Sequence, residues 1–235
     1  MSARRTLTAA LIVGLMATTA CSNELAGPTP PSPGLVSAGA EPEQVQPPPT
    51  AEGPGLTAPG IRLTAVPRGD GSFDVTEDVR LRGSTDTVRL RLPQSGDRLP
   101  GLMTRTKPQA TSLQIVADGD PVLLPDTDVK AARDLPLDTP ATELKLTYRL
   151  SGSSARSLPS PTGRALAAIS PLTAATDGTL PTNLAVSGGG LLNAVCPLMP
   201  ETRCAVGEPP GLGIQQGLPA DRALAVLQLD LPMQP

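Results

Sequence analysis

Between Arg62 and Leu231 the apolar residues recur with a period of two. Glu143-Leu144-Lys145-Leu146-Thr147-Tyr148-Arg149-Leu150 alternates polar and apolar without a break over eight residues. Phe73-Asp74-Val75, Val79-Arg80-Leu81-Arg82 and Val88-Arg89-Leu90-Arg91-Leu92 follow the same rule, and Ala225-Val226-Leu227-Gln228-Leu229-Asp230-Leu231 is a further strand candidate near the C-terminus. Successive side chains of a strand point to opposite faces, so each run predicts a strand with one face on a core and one in water. Turn chemistry separates the runs at Gly69-Asp70-Gly71-Ser72, Gly83-Ser84-Thr85-Asp86 and Ala117-Asp118-Gly119-Asp120. The best helix candidate, Thr162–Ile169, has no apolar face longer than two turns. The pattern therefore predicts an all-β head over 61–235, an antiparallel sandwich. The Pro- and Ser-rich break at 151–161 is the place where it would divide, and one domain is the preferred reading.

The first 60 residues follow different rules. Arg4 and Arg5 precede an apolar run from Leu7 to Ala17, about half the roughly 20 residues that a membrane-spanning helix needs. Two cations, a short apolar run and a tail of small residues make a secretory signal peptide of residues 1–20. Residues 22–60 then hold ten Pro, six Gly, four Glu and no Lys or Arg. Proline lacks an N–H and fixes φ, so 21–60 is expected to be a disordered linker holding the head off a membrane surface.

The leader ends Thr18-Thr19-Ala20-Cys21, which resembles the lipobox of bacterial lipoproteins. That resemblance implies a diacylglycerol thioether on Cys21 and cleavage just before it. Two acyl chains make an effectively permanent anchor where one binds only marginally. The chain is poor in Phe, Tyr, Ile, Asn and Lys and rich in Ala, Gly, Pro and Arg, and so looks like an actinobacterial lipoprotein. The implied address is the extracytoplasmic face of the cell membrane.

Composition narrows the chemistry. The 235 residues contain 29 Pro and 23 Gly but no His and no Trp, and Phe73 and Tyr148 are the only aromatics. Without imidazole there is no Ser-His-Asp triad, no Cys-His dyad and no His-bearing metal site. Without aromatics a stacking platform for nucleic acid is not expected. The head carries 17 basic side chains (19 in the chain, less Arg4 and Arg5) against 18 acidic ones (22, less the four Glu of 22–60), so it has no net attraction for nucleic acid. Phe73 and Tyr148 fall at inward positions and are the expected large anchors of a core built from Leu, Val and Ala.

Four groups of residues are candidates for special roles. With Cys21 lipidated, Cys196 and Cys204 form an even pair in an oxidising compartment and are expected to be a disulfide. Arg80, Arg82, Arg89 and Arg91 fall on outward faces of what read as adjacent strands, a possible anion-binding patch or a solvated face balanced by acids. Asp118, Asp120, Asp126 and Asp128 make two Asp-x-Asp pairs, but their spacing fits no EF-hand and Pro121 and Pro125 interrupt them, so no metal or other cofactor is expected. Arg68-Gly69-Asp70 spells an adhesion tripeptide inside an expected turn.

Around that turn, Asp70-Gly71-Ser72, Val75 and Glu77 resemble the opening hairpin of β-rich ectodomains of some predicted bacterial membrane proteins. Glu77 shares strand parity with Phe73, Val75, Val79 and Leu81. An unbroken strand points it at the core, whereas a bulge near Thr76 returns it to solvent. The functional expectation is a non-enzymatic interaction module of the envelope, with an unknown envelope protein or polymer as partner. The alternatives are a carrier of an apolar ligand in a cavity of the head, or a hydrolase using carboxylates alone.

Overall fold

A computed structural model describes residues 52–94, 96–156, 163–188, 190–208 and 210–231. They belong to a compact unit, Pro47–Pro235. The expected signal peptide, Cys21 and the expected linker through residue 51 lie outside the described residues.

Among the described residues thirteen strands follow one another: β1 Gly60–Pro67, β2 Phe73–Leu90, β3 Gln109–Ala117, β4 Asp120–Pro121, β5 Arg133–Ser151, β6 Ser154–Arg156, β7 Arg164–Ile169, β8 Pro181–Val186, β9 Leu191–Val195, β10 Ala205–Val206, β11 Gly213–Ile214, β12 Leu218–Pro219 and β13 Ala225–Asp230. The described residues contain no α-helix. The fold is all-β, as the alternation predicts. A seven-stranded sheet runs in the order β12-β8-β1-β2-β5-β3-β4, a four-stranded sheet in the order β6-β7-β13-β9, and β10 and β11 form a small ribbon.

The inward residues of both sheets form one cluster. Ile61, Leu63, Phe73, Val75, Leu146, Tyr148 and Leu150 of the larger sheet meet Ala165, Ala167, Ile169, Leu227 and Leu229 of the smaller. Phe73 and Tyr148 are buried, as expected. Small side chains facing large ones let the layers close without voids. The smaller sheet is covered on its other side too. Leu99 and Met103, on the segment after β2, pack over Ala168, Leu224 and Val226. That second burial explains why Ala225-Val226-Leu227 is buried at three consecutive positions rather than in alternation.

Three readings of the sequence change here, and two others take a definite form. The larger sheet is mixed rather than purely antiparallel, because β8 returns parallel to β1, with Leu63 opposite Leu184. Gly83-Ser84-Thr85-Asp86 does not reverse the chain: β2 runs on through it, and its ladder with β5 slips register between Arg80 and Thr87. The extra residues form a bulge within one long ribbon. Arg164–Ile169, within the segment whose helix signal was poor, forms β7, a strand. Residues 53–58, assigned to the linker, instead form a closed turn, with the N–H groups of Leu56, Thr57 and Ala58 donating to the Gly53 carbonyl, and Gly60 opens β1. Composition alone cannot separate a tight Pro/Gly turn from a flexible one. At the proposed seam, Ser151–Arg156 carries the chain from β5 into β6, from one sheet to the other. Residues 157–162 lie outside the described set.

Candidate functional site

The most unusual polar group is Glu77. β2 is unbroken at Thr76, with Thr76 paired to Thr147 and Glu77 to Leu146, so strand parity carries the carboxyl into the core. It has no solvent-accessible surface. Its acceptors are all engaged. Oε2 accepts from the Leu172 N–H at 2.9 Å and from the Tyr148 hydroxyl at 3.4 Å. Oε1 accepts from the Thr173 N–H at 3.1 Å and from the Thr173 hydroxyl. The turn that supplies these donors follows β7 and is tied back to the end of β2 by the Arg91 N–H donating to the Leu172 carbonyl at 2.8 Å.

Desolvation pushes the Glu77 carboxyl above its ordinary range, and the hydrogen bonds from Thr173, Leu172 and Tyr148 pull against that without cancelling it. The Tyr148 hydroxyl is raised well above its usual value, first by burial and then by the neighbouring Glu77. Chemically, this is a clasp. The carboxyl satisfies two buried N–H groups of a turn that would otherwise lie unpaired against the core.

The four arginines lie on one strand, β2 and its continuation, rather than on adjacent strands. Arg80 pairs with Glu143 at 2.7 Å and donates to the Leu56 carbonyl. Arg82 reaches Asp177 at 3.2 Å and the Thr179 hydroxyl at 2.6 Å. Arg91 pairs with Asp134 at 2.9 Å and donates to the Arg133 carbonyl. Arg89 is exposed, and its guanidinium makes no ion pair among the described residues. Three of the four charges are thus matched by acids from other parts of the chain, and the row is not a concentrated anion site.

The aspartates are dispersed over separate turns. Asp118, at φ 46°, accepts from the backbone N–H groups of Glu143 at 2.7 Å and Thr142 at 3.1 Å. The Glu143 N–H, above all, holds its carboxyl below the ordinary value. Asp126 accepts from the Asp128 N–H, and Asp128 pairs with Lys130 at 3.4 Å. No group of three metal-ligating side chains occurs among the described residues. In the tripeptide, Arg68 pairs with Asp74 at 2.7 Å and Asp70 accepts from the Ser72 N–H and hydroxyl, so both charged side chains brace their own hairpin.

Cys196 and Cys204 are bonded, with Cα atoms 5.7 Å apart and both side chains buried. A cavity of about 410 Å³ opens beside Leu166, Ala155 and Gln228 on the outward side of the smaller sheet rather than between the sheets.

Comparison with known proteins adds little to this. No protein-family model and no curated protein matches the chain. Among solved structures, a two-domain M1 zinc metallopeptidase bound to L-arginine overlaps 72% of this chain and 40% of its own, at 18% identity and a TM-score of 0.30. The M1 zinc metallopeptidase from Deinococcus radiodurans gives the same coverage and TM-score, at 17% identity with a Tyr-Ser-Ala substrate and 18% in a second structure. This chain spans two fifths of the length of those proteins. At a TM-score of 0.30 the overlap supports no inference about activity.

Proposed function

We propose that the chain is an extracytoplasmic lipoprotein of the cell membrane, diacylated on Cys21, whose β head is a non-enzymatic interaction module of the envelope. The observation that carries this reading is the Cys196–Cys204 disulfide. A structural disulfide belongs to an oxidising compartment. Closing it also leaves Cys21 as the one remaining cysteine, at the end of the apolar leader. The actinobacterial character of the composition and the lipobox-like Thr19-Ala20-Cys21 agree with it. The non-enzymatic part is supported by Glu77, whose two oxygens are engaged by the fold itself.

The test is metabolic labelling with radioactive palmitate, followed by membrane fractionation. Wild type is expected to carry label and sediment with membranes. Cys21→Ala should lose the label and either appear in the soluble fraction or accumulate as the uncleaved precursor. A Cys21→Ala chain that is still labelled would overturn the proposal.

A further inference from the structure

The loop from β4 to β5 presents an apolar side chain where the pattern calls for a polar one. In Val122-Leu123-Leu124, Val122 and Leu124 pack against the core, so parity sends Leu123 outward. It is 93% exposed, whereas the other exposed large hydrophobics among the described residues lie between 37% and 47%. Pro121 and Pro125 bracket the run, and the Val122 N–H donates to the Ile115 carbonyl at 2.9 Å, so the backbone under Leu123 is held. Beside it is a cleft of about 280 Å³ between this loop and the first half of β5, with Ala117, Val122, Leu137 and Ala141 as apolar lining.

The rim is acidic. Asp120 and Asp138 line the cleft, are exposed, and make no ion pair among the described residues. Asp118, a third lining acid, accepts hydrogen bonds from N–H and O–H groups and faces no cation. No Lys or Arg lines the cleft.

We infer that this cleft and Leu123 form a docking surface for a basic protein segment, an apolar core flanked by lysines or arginines. The inference rests on the interaction-module reading and gives its partner a chemistry. Leu123 supplies an apolar anchor whose ordering is already complete, and the aspartates select cations at the edge and repel acidic partners.

The experiment uses the full-length chain free in solution and three fluorescein-labelled peptides, read by polarisation. The first peptide has Leu-Val-Leu flanked by two lysines on each side. The second replaces the apolar residues with serine, and the third replaces lysine with glutamine. The first should bind saturably, the second at least about tenfold more weakly, the scale of burying one leucine, and the third more weakly through the loss of its charges. Leu123→Ser, which removes no internal contact of the core, should weaken the first peptide about tenfold. Asp120→Asn with Asp138→Asn should weaken it and flatten its salt dependence.

No saturable binding of the first peptide overturns the proposal. So does equal binding of the first and second peptides with no effect of Leu123→Ser, which means adsorption to acids alone, or equal binding of the first and third. None of these readouts depends on acylation, so failure here leaves the lipoprotein reading standing.

Discussion

Glu77 is the residue whose replacement tests the fold most directly. In Glu77→Gln, one side-chain oxygen still accepts from one of the two N–H groups of Leu172 and Thr173, but an amide NH₂ now faces the other. A buried donor left unsatisfied costs about 1–3 kcal/mol. The more informative quantity is the pH dependence. The folded carboxyl titrates above its unfolded value, so in the interval between the two the folded state holds a proton that the unfolded state has released. Stability from this group is therefore complete below the unfolded value. It declines as pH rises through the folded value, by at most about 1.4 kcal/mol per pH unit, and is flat beyond.

Glutamine cannot titrate, so the stability difference between wild type and Glu77→Gln should shrink as pH is raised from 4 to 9. Carboxyls with lowered values, such as Asp118, contribute the opposite slope but equally to both proteins, and cancel in the difference. Urea unfolding followed by circular dichroism at each pH measures it, and Tyr148, the single tyrosine of a chain without tryptophan, reports on the clasp by its own fluorescence. Parallel stability curves for the two proteins across the whole range would refute the argument.

Two further outcomes follow from the geometry. Reduction of Cys196–Cys204, or its replacement by two alanines, should lower stability by about 2–3 kcal/mol, the chain-entropy value for so short a loop, checked by denaturant midpoint with mass spectrometry confirming the thiols. An unchanged midpoint in a chain shown to be reduced would remove the disulfide from the stability of the head. Gly96→Ala places a methyl group 1.7 Å from the Thr104 carbonyl oxygen, so the segment carrying Leu99 and Met103 cannot keep its path. The variant should lose at least about 2 kcal/mol and bind a hydrophobic dye as Ala168, Leu224 and Val226 are uncovered. Wild-type stability and no dye binding would contradict the close approach.

What could be read from the sequence depended on range. Strands whose signal is local, such as Glu143–Leu150, were legible because one face of each is wet and the other dry. The parity of Glu77 was legible as well, but its partners were not. Leu172 and Thr173 contribute backbone N–H groups 95 and 96 residues away, and a backbone donor leaves no mark in a sequence. The parallel pairing of β1 with β8 is similarly non-local. The arginine row could be seen to face outward. The acids that match it, Asp134, Glu143 and Asp177, enter from a neighbouring strand and a distant turn. Two-sided burial broke the alternation rule at Ala225-Val226-Leu227, where the segment after β2 covers a face that the strand itself would leave wet.

The same distances bear on whether Glu77 belongs to chemistry or to architecture. A general acid or base must touch the proton it moves, within about 2.6–3.2 Å or through one water. Glu77 is sealed from solvent, and its neighbours at hydrogen-bonding range are two backbone N–H groups, the Thr173 hydroxyl and the Tyr148 hydroxyl. A substrate would have to displace the turn after β7 and expose Leu172, a fully buried core residue, before reaching it. A raised carboxyl in a protein of unknown activity is often a sign of catalysis. Here the same shift arises because a carboxyl is the side chain that can answer two inward-facing N–H groups at once. The burial that disqualifies it as a catalyst is the burial that perturbs it.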